Sequence, residues 1–295
     1  MNPLMIGDAR VHSSAVYSEG NLKVAGGGFS TSTIGGGYST IAIPKDKKIY
    51  FSSDNHLGLT SLKESHDREK IFVKWLDSIK HDAEIIFLLG DLFDFWFEYK
   101  EAVPKGFTRS LGKLAELSDI GIKIYFFVGN HDYWMTDYFQ KELNIKVFKS
   151  PELFIFNSKS FFIGHGDGLG PGDYGYKRMK LILSNPFFIW LFRLIHPDLG
   201  IRLGRYLSQK NKLISGSEDI NFKGEDKEWL IQYCLKKLSK EHIDYFIFGH
   251  RHLPIVHQLK TKSKYINLGD WITHFTYGVF DGKTFTLRNF LKKND

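Results

Sequence analysis

Along the chain, short runs of apolar and often β-branched or aromatic residues alternate with stretches in which apolar residues recur every three to four positions. These are the periodicities of buried strands and amphipathic helices. Lys48 to Ser53 reads as a first strand. Ser61 with Glu64 has the form of a capping box, and Ile71, Phe72, Trp75, Leu76 and Ile79 then recur at helical spacing. Glu84 to Leu89 is apolar enough for a strand covered on both faces. Thr108 to Ser118 reads as a second helix ending before Gly121, and Ile122 to Val128 as a third strand. Such alternation predicts α/β layering around a mostly parallel sheet.

From Val147 the rhythm changes to strands without intervening helices. Leu153 to Phe156 and Phe161 to Gly164 flank the hairpin signal Asn157-Ser158-Lys159-Ser160. Further short strands follow at Tyr245–Phe248, Ile255–Leu259, Tyr265–Leu268, Thr276–Phe280 and Thr284–Phe290. Between them, from Gly170 to about Lys240, lies a helical insertion. It holds the most apolar run in the chain, Pro186 to Ile195, followed at once by Arg202, Arg205, Lys210 and Lys212. The expectation is an α/β fold of two packed mixed β-sheets flanked by helices, with the insertion as a helical lid.

Polar clusters sit where these strands end. Ser53-Asp54-Asn55-His56, Gly90-Asp91-Leu92-Phe93-Asp94, Gly129-Asn130-His131-Asp132, Gly164-His165-Gly166-Asp167 and Gly249-His250-Arg251-His252 each follow an apolar strand. Ligands in open α/β sheets gather at the carboxyl ends of strands. Carboxylate and amide oxygens mixed with imidazoles at five such exits are what a divalent metal site requires. Singly each cluster is weak, since a lone buried His is more often a hydrogen-bonded core residue. Their joint occurrence at strand exits carries the inference.

Composition narrows the picture. With 295 residues and 42% apolar content the chain can bury a substantial core in one catalytic domain, placed here at residues 47–295. The single cysteine, Cys234, excludes an internal disulfide framework, suits a reducing compartment and falls at a buried helix position. A net charge of +7 favours anionic partners, whether nucleic acid, phosphorylated small molecules or an anionic membrane surface. Basic residues are not interleaved with aromatics along a strand-binding face, which argues against nucleic acid. No stretch approaches the ~20 apolar residues of a membrane span, and no secretory signal opens the chain, so the default location is the cytoplasm. Residues 1–46, rich in Gly and Ser, read as a flexible extension. Their two triple-glycine runs lack the Gly-Lys-Ser/Thr ending of a phosphate-cradling loop.

In their order, the five clusters resemble the blocks of the calcineurin-like metallophosphoesterases, over roughly residues 48 to 290. The resemblance implies an αββα sandwich and two divalent ions, manganese by preference, joined by one aspartate. Asp54, His56, Asp91 and His252 would hold one ion, and Asp91, Asn130, His165 and His250 the other. Two cations on one water produce hydroxide near neutral pH, placed for in-line attack on phosphorus. Asp91, Asn130 and His131 are the residues expected at the reaction itself, His131 facing the scissile phosphate as a cationic stabiliser or general acid. Asp94 and Asp132 would orient ligands and loops.

Leu89 to Trp96, His165-Gly-Asp-Gly168, Gly172-Asp-Tyr-Gly-Tyr176, the insertion and Leu268-Gly-Asp-Trp271 look more narrowly like one branch, the UDP-2,3-diacylglucosamine diphosphatases of lipid A synthesis. That resemblance implies a lipid-linked UDP-sugar substrate, contacts from Asp173, Arg205, Ser208 and Lys212, peripheral association with an anionic inner-membrane surface and no protein partner. The best-known members of the branch have Arg where this chain has His131. Two other readings stand beside it: a general phosphodiesterase or nucleotide pyrophosphatase, and a binding scaffold without catalysis. Loss of ligands would mark the scaffold, and all seven proposed ligand positions carry competent residues.

Overall fold

Backbone pairing begins earlier than the apolar runs foretell. In the computed structural model, which describes residues 31–34, 38–171, 174–215 and 221–292, Thr31–Ile34 (β1) and Tyr38–Ile41 (β2) form an antiparallel hairpin. Its second strand lies parallel to Glu152–Phe156, and Ile43 is buried in the core. The expected extension over 1–46 is thereby corrected for its last part: strand pairing supplies the hydrogen bonds that a Gly/Ser-rich composition gave no reason to expect. Residues 1–30 lie outside the described residues.

The alternating half follows in order: Lys48–Ser52 (β3), Leu62–Ile79 (α1), Ala83–Leu88 (β4), Thr108–Asp119 (α2), Lys123–Phe127 (β5), Tyr138–Leu143 (α3) and Lys146–Phe148 (β6). The capping box forms as the sequence indicates, Ser61 accepting from the Glu64 backbone while the Glu64 carboxylate takes the Ser61 N–H. Then come Glu152–Phe156 (β7), Lys159–Ile163 (β8), Tyr174–Leu183 (α4), Pro186–Arg193 (α5), Pro197–Ser215 (α6), Trp229–Leu238 (α7), Tyr245–Phe248 (β9), Pro254–Gln258 (β10), Lys264–Leu268 (β11), Thr276–Phe280 (β12) and Phe285–Asn289 (β13).

Two mixed sheets result. One is six-stranded in the order β13-β12-β3-β4-β5-β6, with β3 to β6 parallel; the other is seven-stranded in the order β1-β2-β7-β8-β9-β11-β10. Their inner faces meet through Ile49, Phe51, Phe87 and Phe127 on one side and Phe156, Phe161, Ile163 and Ile247 on the other. The outer face of the six-stranded sheet is covered by α1, α2 and α3 through Trp75, Leu76, Leu114 and Phe139. Burying each such side chain contributes on the order of 2 kcal/mol of transfer free energy.

The insertion divides in two. Helix α7 buries Leu230, Ile231 and Cys234 against Phe246 and Phe248 of β9, so it is the outer layer of the seven-stranded sheet rather than part of a lid. Helices α4 to α6 make up the rest of the insertion, and most of the exposed large apolar side chains are there. Helix α5 has no buried residue, with Phe187 60% and Trp190 54% exposed. These helices are nevertheless fastened to the body. Phe192, Ile189 and Ile201 pack on Phe95, Phe97 and Tyr99, the Trp134 indole N–H donates to the Leu183 carbonyl at 2.8 Å, and Lys180 pairs with buried Asp167 at 2.7 Å.

Candidate metal centre

Strands β3, β4 and β5 end on the same side of the six-stranded sheet, and β8 and β9 deliver their own ends to meet them. The turns are tight. Asp54, His56, Asp91, His250 and His252 all adopt left-handed backbone conformations, with φ of 55°, 44°, 52°, 69° and 52°. A non-glycine residue held so costs on the order of 1 kcal/mol, and such strain concentrates at functional sites. Gly129 and Gly249 are glycines for a different reason: a Cβ on the first would run into the Asp91 carboxylate, and on the second into Ser53 and Asp54.

One group of donors is built from Asp54, His56 and His252. The His252 Nε2 lies 3.2 Å from Asp54 Oδ1 and 3.2 Å from His56 Nε2. Each imidazole is held from behind by a carboxylate: His56 Nδ1 is 3.2 Å from Asp94 Oδ1, and His252 Nδ1 is 3.5 Å from Asp270 Oδ2. Protons on the two Nδ1 atoms leave both Nε2 lone pairs facing one another and the Asp54 oxygen. Asp54 Oδ1 is buried and accepts no hydrogen bond. Acceptor atoms converging with no donor between them fit a cation, and a buried unpaired carboxylate oxygen would otherwise be costly.

A second group surrounds Asp91, Asn130, His165 and His250. The His165 Nδ1 donates to the Leu89 carbonyl at 2.7 Å, which leaves Nε2 as the nitrogen turned towards the centre. That atom stands 3.4 Å from Asp91 Oδ2 and 3.2 Å from Asn130 Oδ1, while His250 Nδ1 is 2.9 Å from the same amide oxygen. Asp91 Oδ2 is also 3.7 Å from His56 Nε2, which puts one carboxylate between the two sets of imidazoles. Electrostatics follow the geometry. Burial alone would raise the Asp91 and Asp54 carboxyls, but the neighbouring imidazoles hold both well below the usual carboxylate range. Burial lowers His165, and the Asp91 charge more than offsets it, to about 10. Burial and the neighbouring His165 push His250 down to about 4.

Among the described residues, Asp94 and Asp132 adjoin the donor groups without belonging to them. Asp94 backs His56, and Asp132 ties the β4 and β5 exits together by accepting from the backbone N–H of Gly129 at 2.7 Å and of Leu92 at 2.9 Å. Burial and the Asp91 charge raise the Asp132 carboxyl to about 7. The His131 ring stands edge-on to His56, with centroids 4.7 Å apart, and one of its nitrogens falls in a cluster with His56 and Asp91. Of the expected substrate contacts, Ser208 is at the centre, donating to the Asp94 carbonyl at 2.7 Å. Arg205, one turn earlier on α6, donates instead to the Lys105 carbonyl at 3.3 Å. Asp173 and the Lys212 side chain lie outside the described residues. Asp270 was missed among the site residues. Its signal was present in Leu268-Gly269-Asp270, the same strand-Gly-Asp exit as Leu89-Gly90-Asp91.

The chain matches the family described as calcineurin-like phosphoesterase over residues 47–254. It is 38% identical over 259 residues to a Porphyromonas gingivalis protein named UDP-2,3-diacylglucosamine hydrolase, covering 82% of this chain and 97% of that one. Proteins of the same name from Pseudomonas fluorescens and Histophilus somni are 30% and 27% identical, each over 76% of this chain and 87% and 92% of their own length.

Proposed function

The chain belongs to the calcineurin-like phosphoesterase family, and from that premise we propose that it hydrolyses the pyrophosphate of UDP-2,3-diacylglucosamine to UMP and 2,3-diacylglucosamine 1-phosphate in lipid A synthesis. The observation that carries the reading is the relatives' shared name over nearly their whole length. The fold implies a dinuclear divalent metal centre, and the donor set described above suits it. Asp54, His56, Asp91 and His252 would hold one ion and Asp91, Asn130, His165 and His250 the other; mixed oxygen and imidazole donors suit manganese. When bound, the ions supply a water acidic enough to be a nucleophile near neutral pH.

The residues of the chain do the rest. Asp94 and Asp270 keep two imidazoles in the form whose Nε2 is available, and the Leu89 carbonyl does the same for His165. Asp91, placed between the two groups, offsets the repulsion of two dications. His131 holds a proton at the edge of the centre, where it stabilises charge on the phosphoryl oxygens or on the departing group. The apolar residues of α4 to α6 receive the acyl chains, and α5 rests peripherally on the anionic inner surface of the membrane, reached from the cytoplasm; among the described residues no helix is long and apolar enough to cross one. Residues 47–295 form the catalytic domain.

The test compares UDP-2,3-diacylglucosamine in detergent micelles with UDP-N-acetylglucosamine. The lipid should be turned over far faster, because each buried methylene is worth ~0.8 kcal/mol and remote binding energy assists the reacting centre. Equal rates would overturn the lipid assignment in favour of a general pyrophosphatase.

A further inference from the structure

Helix α6 carries Gly200, Gly204 and Ser208 at intervals of four, which stacks them on one face. That face is pressed onto the body of the protein. A Cβ at Gly200 would strike the Tyr99 hydroxyl, and one at Gly204 would enter the Phe95 ring. The two glycines set how closely α6 approaches, and the next residue on the stripe reaches the phosphoesterase centre. Ser208 Oγ lies 2.7 Å from His131 Nδ1, 2.7 Å from the Asp94 carbonyl oxygen and 3.1 Å from Asp94 Oδ2.

The hydrogen atoms around this junction can be assigned by elimination. His131 Nδ1 is also 2.9 Å from the Asp94 carbonyl oxygen, which can only accept. A proton must therefore sit on Nδ1, shared between that carbonyl and Ser208 Oγ. The Ser208 hydroxyl then gives its own hydrogen to Asp94. With Nδ1 committed on this side, exchange with a phosphoryl oxygen runs through Nε2 on the other. Asp94 ties the same junction to the neighbouring imidazole through its Oδ1 contact with His56.

We propose that Ser208 is a positioning residue: from helix α6 it anchors the His131 ring at Nδ1, beside the Asp94 carbonyl, and thereby holds Nε2 towards the centre, so that docking of α6 completes the catalytic centre. This rests on the phosphoesterase reading above, and it differs from the expectation that Ser208 touches substrate. A serine that binds the lipid-linked sugar affects KM for that substrate alone. A serine that orients His131 affects turnover of any phosphodiester, including one too small to touch the lid.

The experiment uses the Mg2+-loaded full chain with Ser208→Ala, Ser208→Thr, His131→Ala and the Ser208→Ala/His131→Ala double variant. Each is assayed on bis(p-nitrophenyl) phosphate and on the UDP-linked lipid. Ser208→Ala should lower kcat roughly tenfold on both substrates with KM little changed, as loss of an orienting partner does. Ser208→Thr should restore it, and adding Ser208→Ala to His131→Ala should cost nothing more. A rise in KM for the lipid with the small diester untouched would overturn the proposal, as would an equal loss in the His131→Ala background. A third readout does not depend on turnover. In 15N-histidine spectra, the His131 signal, assigned by its loss in His131→Ala, should keep a protonated Nδ1, held by the Asp94 carbonyl, but shift and broaden in Ser208→Ala as the ring loses one of its two anchors. An unchanged signal would overturn the proposal, whereas the expected change in a chain that cleaves neither substrate would overturn the functional reading alone.

Discussion

The imidazole of His165, at the end of β8, gives its Nδ1 hydrogen to the carbonyl of Leu89, at the end of β4, across 2.7 Å. One backbone oxygen thereby joins the two sheets and decides which nitrogen of His165 faces the centre. The bond exists because Gly90 turns with φ of 85°, and a Cβ at that residue would press on both His165 Nδ1 and the Gly129 backbone. Gly90→Ala should therefore disturb the centre more than the fold. We expect metal content to fall by at least one ion and phosphodiesterase turnover to drop about 100-fold, consistent with what misplacing reacting groups by ~1 Å costs. Elemental analysis beside a chromogenic diester assay checks it; full metal content with normal turnover would refute it.

Asp91 stands between His165 Nε2 at 3.4 Å and His56 Nε2 at 3.7 Å. Removing it deprives both imidazole groups of their common carboxylate. Asp91→Ala should abolish measurable phosphodiester hydrolysis at saturating manganese. Turnover within a factor of ten of the unaltered protein would show that Asp91 joins nothing.

The sheet and the centre were legible to different degrees, for physical reasons. Strand exits are local: Glu84 to Leu89 running into Gly90-Asp91 declares a strand, a turn and a carboxylate at the strand's end within eight residues. Whether Asp270 backs a histidine depends on a contact with His252, eighteen residues away in sequence and across the β10 to β11 hairpin, which no periodicity encodes. The β1 and β2 hairpin was hidden because its strands are only four residues long and β2 pairs with β7, a strand far along the chain that no local pattern announces. Helix α7 looked like lid sequence because an apolar stripe does not say which surface it covers. Ser208 is expected by resemblance to touch substrate; that its partners include His131 and Asp94 depends on the close approach of α6, which the sequence does not encode.

Asp270 yields a test of that missed contact. Its Oδ1 caps the backbone N–H groups of Ile272, Thr273 and His274 at 3.1, 2.8 and 2.9 Å, while Oδ2 faces His252. Asp270→Asn keeps an acceptor for the cap and removes the charge behind the imidazole. Affinity for one of the two ions should weaken about tenfold with little loss of thermal stability. Titration of the metal-free protein with manganese reads the first quantity, and a thermal melt the second. Unchanged affinity for both ions would show that the carboxylate charge is immaterial.

Far from the centre, Asp244 holds the start of β9 to the start of β8. Its carboxylate accepts from the Ser160 N–H and hydroxyl, both at 2.9 Å, and from Lys159 at 3.0 Å. Partial burial raises its pKa, but these donors outweigh burial and hold it below the usual carboxylate value. Because the folded pKa is the lower one, the stabilisation is present above the unfolded pKa and is lost as pH falls through the folded value. Asp244→Asn should destabilise the protein by about 1 kcal/mol at neutral pH. The difference between the two proteins in urea midpoint should shrink towards zero as the pH falls through the lowered folded pKa of Asp244. A difference independent of pH would assign the effect to shape rather than charge.

Helix α5 poses the question of what covers its apolar side chains. Phe187, Phe188, Trp190 and Leu191 lie within five residues, all exposed, with Leu194 64% exposed just beyond. A soluble surface rarely keeps so contiguous a patch bare. Eight residues span ~12 Å, too short to cross a bilayer and long enough to lie in its interface. Arg193 on the same helix and the net charge of +7 favour an anionic surface. We therefore expect the protein to sediment with vesicles of phosphatidylglycerol and phosphatidylethanolamine more strongly than with phosphatidylcholine alone, and high salt to weaken the difference. Trp190→Asp should cut the bound fraction about tenfold or more, since a buried aromatic becomes a charge in the headgroup region, while metal content stays unchanged because α5 contributes no donor to the centre. Binding equal to that of the unaltered protein would mean that α5 does not face the membrane, and would leave its aromatic side chains to the acyl chains of the substrate.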